Sequence, residues 1–176
     1  MTHQDHVTLI RDGISQKGGV WADLGSGSGS FTLALRDIAG PEVEIYSVDK
    51  DSTSLSMQKH NFDEDFPGTN IHYLEQNFTQ DLELPPLDGI IMANSLHFVP
   101  DQRMVLKKLV PHLKKDGRLI VVEYNSDAGN MWVPFPFSFE SFKKLALSGG
   151  FQEPKLLKTV PSNFLNEIYS ALTFPA

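Results

Sequence analysis

A short apolar segment, Gly19-Val20-Trp21-Ala22-Asp23-Leu24, runs directly into a glycine-rich turn, Gly25-Ser26-Gly27-Ser28-Gly29-Ser30. The residues that follow, Phe31 to Ile38, place apolar side chains near a helical period. The composition of the turn alone would suit a flexible linker. Because of its flanks, however, we predict a buried strand, a tight turn and a helix. Glycines there permit positive φ and leave room for a ligand against the backbone.

The same alternation continues along the chain. Apolar runs predict further strands at 43–48, 71–74, 87–93 and 118–124. Capping and stop signals predict helices from Asp51 or Ser52 to about 65, from Pro100-Asp101 until Pro111, and from Ser138 to 147. Residues 77–86 are too short and too rich in proline for a crossover helix, and we expect a loop there. A turn is expected at 115–117.

Two further β-like runs, 155–160 and 164–174, finish the chain, although the first half of the second also has a helical spacing. Only three residues separate these runs, so as strands they must be antiparallel neighbours. Strands that alternate with helices indicate a mostly parallel sheet covered on both faces. The expected fold class is α/β, a Rossmann-like, doubly wound, mostly parallel seven-stranded sheet with one antiparallel strand near its edge.

Length and composition limit the number of domains and exclude several classes of function. The 176 residues predict a single domain over 1–176, with a short N-terminal helical segment at 1–18. A net charge of −7 argues against charge-driven binding of nucleic acid. The absence of cysteine excludes disulfides, a thiolate nucleophile and cysteine-based metal sites. No apolar run is long enough to span a bilayer and no basic leader is present, so we expect no membrane contact and a cytoplasmic location.

The glycine turn differs from the dinucleotide-binding fingerprint. The third glycine, Gly29, comes one residue early, and Ser30 stands where that fingerprint has glycine. Asp23 would repel a pyrophosphate but would suit an ammonium or a sulfonium. Asp49 ends the second strand about 20 residues beyond the turn, where a carboxylate accepts hydrogen bonds from ribose hydroxyls. A ribose with a positive charge and no pyrophosphate describes S-adenosylmethionine.

Several segments, in order, resemble the motifs of class I S-adenosylmethionine-dependent methyltransferases. They are Val20 to Gly29 for the first motif, Ile45 to Asp49 for the ribose-binding strand end, Glu75 to Phe78 for the adenine segment, Asp88 to His97 for the fourth strand, and Gly117 to Glu123 for the fifth. The resemblance implies a cofactor-binding set of Asp23, Gly25, Ser26, Gly27, Gly29, Asp49, Lys50, Asn77, Phe78 and Asn94.

The resemblance also implies individual roles within that set. The glycines would let the backbone approach the cofactor, and Asp23 would face the methionine amino group, directly or through water. Asp49 would bind the ribose with Lys50 beside the adenine, while Asn94 would offer its backbone carbonyl to the amine.

The adenine segment departs from the family pattern, because Asn77 stands where the family usually has Asp. Its amide oxygen can still accept from the adenine amino group, and the Phe78 backbone N–H could reach a ring nitrogen. The alternative is an Asx turn at Asn77.

On the acceptor side, His97 follows the fourth strand and is the candidate general base, the alternative being a structural histidine. Glu123 and Tyr124 end the fifth strand and could contact substrate, and the aromatic segment 130–137 could form a substrate wall or an interface. The sequence Asn94-Ser95-Leu96-His97 lacks the Pro-Pro-aromatic pattern of DNA adenine methyltransferases. No acidic pair follows Asn94, so we expect no metal.

These observations predict an S-adenosylmethionine-dependent methyltransferase that acts on an unidentified acceptor, with a small molecule preferred. Two alternatives remain: a non-catalytic, methyltransferase-like partner subunit, and an NAD-dependent oxidoreductase. Only about 18 residues precede the first strand. The substrate side is therefore expected either to be open or to be covered by a second copy in a homodimer or by a partner protein.

Overall fold

The computed structural model describes residues 1–176. Its strands are β1 Val20–Leu24, β2 Glu44–Asp49, β3 Asn70–Glu75, β4 Leu87–Ala93, β5 Leu113–Tyr124, β6 Lys155–Pro161 and β7 Glu167–Thr173. They form one sheet in the order β3-β2-β1-β4-β5-β7-β6. The first five strands pair in parallel, and β7 runs antiparallel to both β5 and β6. The predicted fold class is confirmed.

The helices are α1 His3–Ile10, α2 Ser30–Ala39, α3 Ser52–Asp65, α4 Gln102–Leu109 and α5 Phe139–Ser148. The predicted caps are present: the side chains of Asp51 and Ser138 accept from backbone N–H groups in the first turns of α3 and α5. After α4 a 3₁₀ turn, Val110–His112, contains Pro111. The longest helix has 14 residues, and none combines the length and apolarity needed to cross a bilayer.

The core lies on both faces of the sheet. Consecutive residues of β4 alternate between two apolar clusters: Ile90 and Met92 pack on the side of α4 and α5, whereas Ile91 packs on the side of α1 and α2. A central strand that is buried on both faces has a continuous apolar sequence, and for this reason β4 could be predicted from the sequence. Burial on both sides leaves the ends of the strands as the accessible positions for a site.

Two local expectations are wrong. The turn predicted at 115–117 lies inside β5, because Leu87 pairs with Leu113 whereas Gly89 pairs with Arg118, so the extra residues of β5 form a bulge. The helical alternative for residues 164–174 also fails. That segment supplies β7, whose backbone groups are satisfied by β5 on one side and β6 on the other.

Candidate functional site

A cleft of about 440 Å³ opens at the carboxyl ends of β1, β2 and β4. The strand order reverses there, since β2 lies on one side of β1 and β4 on the other. In open α/β sheets this is the usual place for a ligand. The lining residues are Gly25, Gly27, Asp49, Lys50, Gln76, Asn77, Phe78, Thr79, Asn94, Ser95, Phe98, Val99 and Pro100. Seven of the ten predicted cofactor residues are among them.

The glycine turn leaves backbone exposed to this cleft. Gly25 has φ +77° and its missing Cβ would lie 2.4 Å from the Cβ of Ser95, so no larger residue fits. Gly27 has φ +55°, and a Cβ there would meet nothing within 4 Å. The backbone at Gly27 therefore borders open space that a ligand can fill.

Asp49 is held in place by the backbone around it. Its Oδ2 accepts from the N–H of Gly27 at 2.8 Å, and its Oδ1 accepts from the N–H of Asp51 at 2.9 Å. Each carboxylate oxygen has a second lone pair. The side chain is thus oriented toward the glycine turn and can accept further hydrogen bonds from a diol.

Three predicted residues, Asp23, Ser26 and Gly29, do not line the cleft. Asp23 is only 1 % exposed and accepts from the Thr32 hydroxyl at 2.6 Å. A Cβ on Gly29 would lie 2.3 Å from Gln58, which belongs to the same buried network. Direct contact of the Asp23 carboxyl with a bound amine does not fit this position, because α2 and the glycine turn cover the carboxyl.

Burial raises the pKa of Asp23 to about 7; the hydrogen bond from Thr32 opposes the shift, and the charge of Asp49 adds to it. The network continues from Thr32 to Gln58 at 3.1 Å, and from Gln58 to Ser47 at 2.6 Å. Ser47 lies 2.7 Å from the Ser26 hydroxyl. These hydrogen bonds connect the glycine turn, through Ser26, to β2 and to the helices α2 and α3.

Asn77 forms the Asx turn that was the alternative for this residue. Its Oδ1 accepts from both the N–H and the hydroxyl of Thr79, at 3.0 and 2.9 Å. In the structure Thr79 therefore occupies both lone pairs of this oxygen, and neither is free to accept from an adenine amino group as predicted. The Nδ2 donor makes no hydrogen bond within the chain and is free for a ligand.

Asn94 adopts φ +51°, rare for a residue with a side chain, and its backbone N–H donates to the Val122 carbonyl. Its Oδ1 is the only fully buried side-chain polar atom without a hydrogen-bond partner. Buried oxygens of this kind are nearly always paired. An orphaned acceptor on a cleft-lining residue therefore points to a missing donor.

A second cavity of about 480 Å³, here called the aromatic pocket, adjoins the cleft. It is lined by Asn94, His97, Phe98, Tyr124, Trp132, Val133 and Phe164. The two cavities share Asn94 and Phe98. Trp132 and Val133 come from the predicted aromatic wall, whereas Phe137 of that segment is buried against Phe142 in the core.

His97 and Glu123 form a buried pair at the back of the aromatic pocket. His97 Nδ1 lies 2.6 Å from Glu123 Oε1, and the two side chains are 3 % and 0 % exposed. Burial raises the pKa of Glu123, and hydrogen bonds from His97 and Tyr124 oppose that shift. Contact of Glu123 with substrate was one possibility from the sequence, but its side chain is covered and contacts His97 instead.

Other lining residues were not assigned to the site from the sequence. The cleft residues that sequence reasoning missed are Gln76, Thr79, Ser95, Phe98, Val99 and Pro100. Gln76 and Ser95 lie inside the segments that resemble family motifs but were given no role there. The other four lie in loops outside those segments, and only their position after a strand end could have identified them. Phe164 enters the aromatic pocket from the β6–β7 connection, which no local pattern predicts. No three His, Asp or Glu side chains gather to hold a metal ion.

Comparisons with known proteins agree with this geometry. The family described as a methyltransferase domain matches residues 15–150. A probable cobalt-precorrin-6B C(15)-methyltransferase of Thermoplasma volcanium is 26 % identical over 115 residues, or 65 % of this chain. A ubiquinone/menaquinone biosynthesis C-methyltransferase of Hahella chejuensis is 25 % identical over 144 residues, or 81 % of this chain. The chain spans 55 % and 57 % of the lengths of these two relatives.

Among solved structures, the YcgJ protein of Bacillus subtilis superposes with a TM-score of 0.80 at 13 % identity, over 98 % of this chain and 99 % of the other. At that identity the likeness establishes the fold alone. The domain match covers more than three quarters of the residues. The chain therefore belongs to the methyltransferase domain family, as the resemblance to class I S-adenosylmethionine-dependent methyltransferases had indicated.

Proposed function

We propose that the protein transfers a methyl group from S-adenosylmethionine to a small-molecule acceptor. The observation that carries this proposal is the cleft at the ends of β1, β2 and β4, where the glycine turn, Asp49 and Asn94 meet. Bound S-adenosylmethionine supplies a methyl group on a positively charged sulfur that needs no further activation. The protein then has to bind and align the two reactants.

The residues of the cleft fit this cofactor. The open space beside Gly27 leaves room for a ligand against the backbone. The unused lone pairs of Asp49 suit two ribose hydroxyls. The orphaned Oδ1 of Asn94 needs a donor, and an ammonium group supplies one.

Alignment is the main catalytic contribution of this chain. Holding two reactants in a fixed geometry can contribute about 7–11 kcal/mol in well-oriented systems. The cleft and the aromatic pocket share Asn94 and Phe98, so ligands in the two cavities are neighbours. This arrangement supports direct transfer between them.

Calorimetric titration with S-adenosylhomocysteine tests the cofactor assignment. We expect binding by the wild type and a loss of at least about tenfold in affinity for Asp49→Ala, since a hydrogen-bonded carboxylate contributes on this scale. Asp63→Ala, an exposed acid on α3, is the matched control and should bind normally. Tight binding of NAD(H) with no binding of S-adenosylhomocysteine would support the oxidoreductase instead.

The partner-subunit alternative predicts a different pattern. A non-catalytic subunit would bind the cofactor, transfer methyl groups to no member of an acceptor panel, and co-purify with a second chain. Met131 and Trp132 are 86 % and 70 % exposed beside the aromatic pocket. We propose that a second copy of the chain or a partner covers this side. A solution mass equal to one chain, measured by light scattering during turnover, would contradict that cover.

A further inference from the structure

We propose that the protein has a second ligand site, for a phosphate group, at the opposite end of the sheet from the cofactor cleft. A third cavity, here called the basic pocket, has a volume of about 360 Å³ and opens at the amino ends of β1 and β4. Its charged lining residues are Lys17, Asp88, Lys114, Lys115, Asp116 and Arg118. The basic pocket shares no residue with the cofactor cleft or the aromatic pocket, so binding there does not depend on methyl transfer.

The charge of the basic pocket is opposite in sign to that of the chain. Four of the 15 Lys and Arg residues line it, against two of the 22 Asp and Glu residues, whereas the whole chain has a net charge of −7. Glu42 lies beside Gly18 of the lining but does not itself line the cavity. A concave surface with a net positive charge concentrates anions. The basic pocket therefore attracts an anionic ligand.

Asp88 leaves this attraction in place, because its charge is already matched. Its Oδ2 accepts from Nζ of Lys114 and from the backbone N–H of Val20, both at 2.8 Å. Burial raises the pKa of Asp88, but these hydrogen bonds outweigh burial, so the pKa is lowered and the carboxylate is ionised. Lys114 is the only one of the four cations with an ion-pair partner. The other three remain available to a ligand.

Arg118 is ordered before any ligand binds. Its Nη1 donates to the Gly13 carbonyl at 3.2 Å and to the Ser15 hydroxyl at 2.7 Å. Its Nε and Nη2 groups make no hydrogen bond within the chain. Because the side chain is already held, a ligand pays little entropy to order it. The remaining N–H groups of the guanidinium can donate to two phosphate oxygens.

A buried donor without a partner also faces the basic pocket. Trp21 lines the cavity and is 3 % exposed, and its Nε1 makes no hydrogen bond within the chain. Since Asn94 Oδ1 is the only fully buried side-chain polar atom that lacks a partner, Nε1 keeps accessible surface. That surface lies beside Gly19, because Nε1 is 3.3 Å from the position of a Cβ on this glycine. An indole N–H can only donate, so an oxygen of a ligand satisfies it.

Phosphate matches these groups better than a carboxylate or a sulfate does. The donors come from separate segments: Lys17 precedes β1, Trp21 lies in β1, and Arg118 lies in β5. A tetrahedral anion offers oxygens in several directions, whereas a carboxylate offers two in one plane. Asp116 would repel a sulfate, which can only accept. A phosphate group can carry a hydrogen near neutral pH, because its second pKa is about 6, and can donate it to Asp116.

The two tryptophans of the chain allow a direct test. In a ¹H–¹⁵N spectrum, Trp21 and Trp132 each give one indole N–H signal, and Trp132→Phe assigns them. We expect inorganic phosphate, balanced with chloride at constant ionic strength, to shift the Trp21 signal and to leave the Trp132 signal in place. The shift should saturate with a Kd at or below about 1 mM.

Lys115→Glu tests the charge of the basic pocket, because this side chain is exposed and its replacement leaves the core untouched. We expect phosphate binding about tenfold weaker. Lys107→Glu is the matched control: Lys107 is also exposed but lies on α4, outside the lining, and its variant should bind phosphate normally. Arg118→Gln should weaken binding at least about tenfold. If loss of its contacts to Gly13 and Ser15 prevents folding, Lys115→Glu decides.

Glycerol 3-phosphate distinguishes the two sources of a phosphate group. Tighter binding than that of inorganic phosphate would assign the basic pocket to a phosphate ester, and equal or weaker binding would assign it to the free ion. The basic pocket has room for a small ester, since its volume is about 360 Å³ against about 440 Å³ for the cofactor cleft. A nucleotide is unsuitable as the probe, because its nucleoside could enter the cofactor cleft.

Three results would overturn the phosphate site. They are an unmoved Trp21 signal at about 10 mM phosphate, sulfate binding as tight as that of phosphate, and equal weakening by Lys115→Glu and Lys107→Glu. Lys115→Glu should bind S-adenosylhomocysteine as the wild type does, because Lys115 does not line the cofactor cleft. The proposed methyl transfer would survive all three results.

Discussion

The indole of Trp21 lies directly over Gly89, its partner across β1 and β4. A Cβ on Gly89 would lie 2.2 Å from Cζ3 of Trp21, well inside van der Waals contact. The two central strands can therefore carry a buried tryptophan only because the facing position has no side chain. This fit lies between the two paired strands whose carboxyl ends form part of the cleft.

Gly89→Ala is expected to lower the free energy of unfolding by about 1–3 kcal/mol, because overpacking forces the indole or the backbone to move. Urea unfolding followed by circular dichroism measures the loss. In a Trp21→Val background the same glycine substitution should cost far less, since the clash is removed. Equal losses in both backgrounds would show that the indole is not the cause.

Gly27→Ala tests the glycine turn as a ligand surface. Both Gly27 and Gly68 have positive φ and open space at the Cβ position, but only Gly27 lines the cleft. Alanine at either position should cost about 1–2 kcal/mol of stability through the left-handed backbone. Calorimetry should then show a loss of S-adenosylhomocysteine affinity for Gly27→Ala alone. A similar affinity loss in Gly68→Ala would point to a global effect.

The Asp23 carboxyl predicts a pH dependence of stability. Its pKa is raised from 3.8 to about 7, so the folded state binds a proton that the unfolded state releases between about pH 4 and pH 7. Its contribution to stability is therefore full below about pH 4 and is lost as the pH rises to about 7, up to a limit of about 4 kcal/mol.

Asp23→Asn should flatten this part of the stability profile, because an amide does not titrate and can still accept from Thr32. Urea unfolding at pH 5 and pH 8 provides the comparison. Asp63→Asn changes an exposed acid and should keep the wild-type slope. A wild-type slope in Asp23→Asn would place the titration elsewhere.

Asn77→Asp is expected to strengthen cofactor binding. One carboxylate oxygen can keep the Asx turn to Thr79 while the other accepts from the adenine amino group, and charge-assisted hydrogen bonds are the stronger kind. We expect a gain of about two- to tenfold in S-adenosylhomocysteine affinity by calorimetry. Asn77→Ala should lose the Asx turn to Thr79 and bind more weakly. Weaker binding by the aspartate variant would show that the Nδ2 donor is what the adenine uses.

Helices and strands could be predicted from the sequence where the signal lies in residues next to the element itself. Asp51 and Ser138 cap helices that begin at the next residue. The gap of only three residues, 161–163, between the two predicted runs required an antiparallel pair. The bulge at 114–117 was missed because it depends on the register between β4 and β5, which the residues of the turn do not encode.

The site was predicted where it depends on motifs and missed where distant segments meet. Gly25, Gly27 and Asp49 follow strand ends and were found. His97 and Glu123 are 26 residues apart, and their pairing arises only because β4 and β5 are adjacent. Phe164 reaches the aromatic pocket through the β6–β7 connection. For Asp23, the spacing to Gly25 does not reveal that the carboxyl is buried against Thr32 of α2.

The position of β7 has a consequence for how the protein is made. Although it is the last strand of the sheet to leave the ribosome, it fills an interior place beside β5. Until it arrives, β5 presents an apolar run with unpaired backbone groups, the kind of edge that recruits other chains. Nascent chains halted before Glu167 should therefore be the species most prone to aggregate and the ones that depend on chaperones.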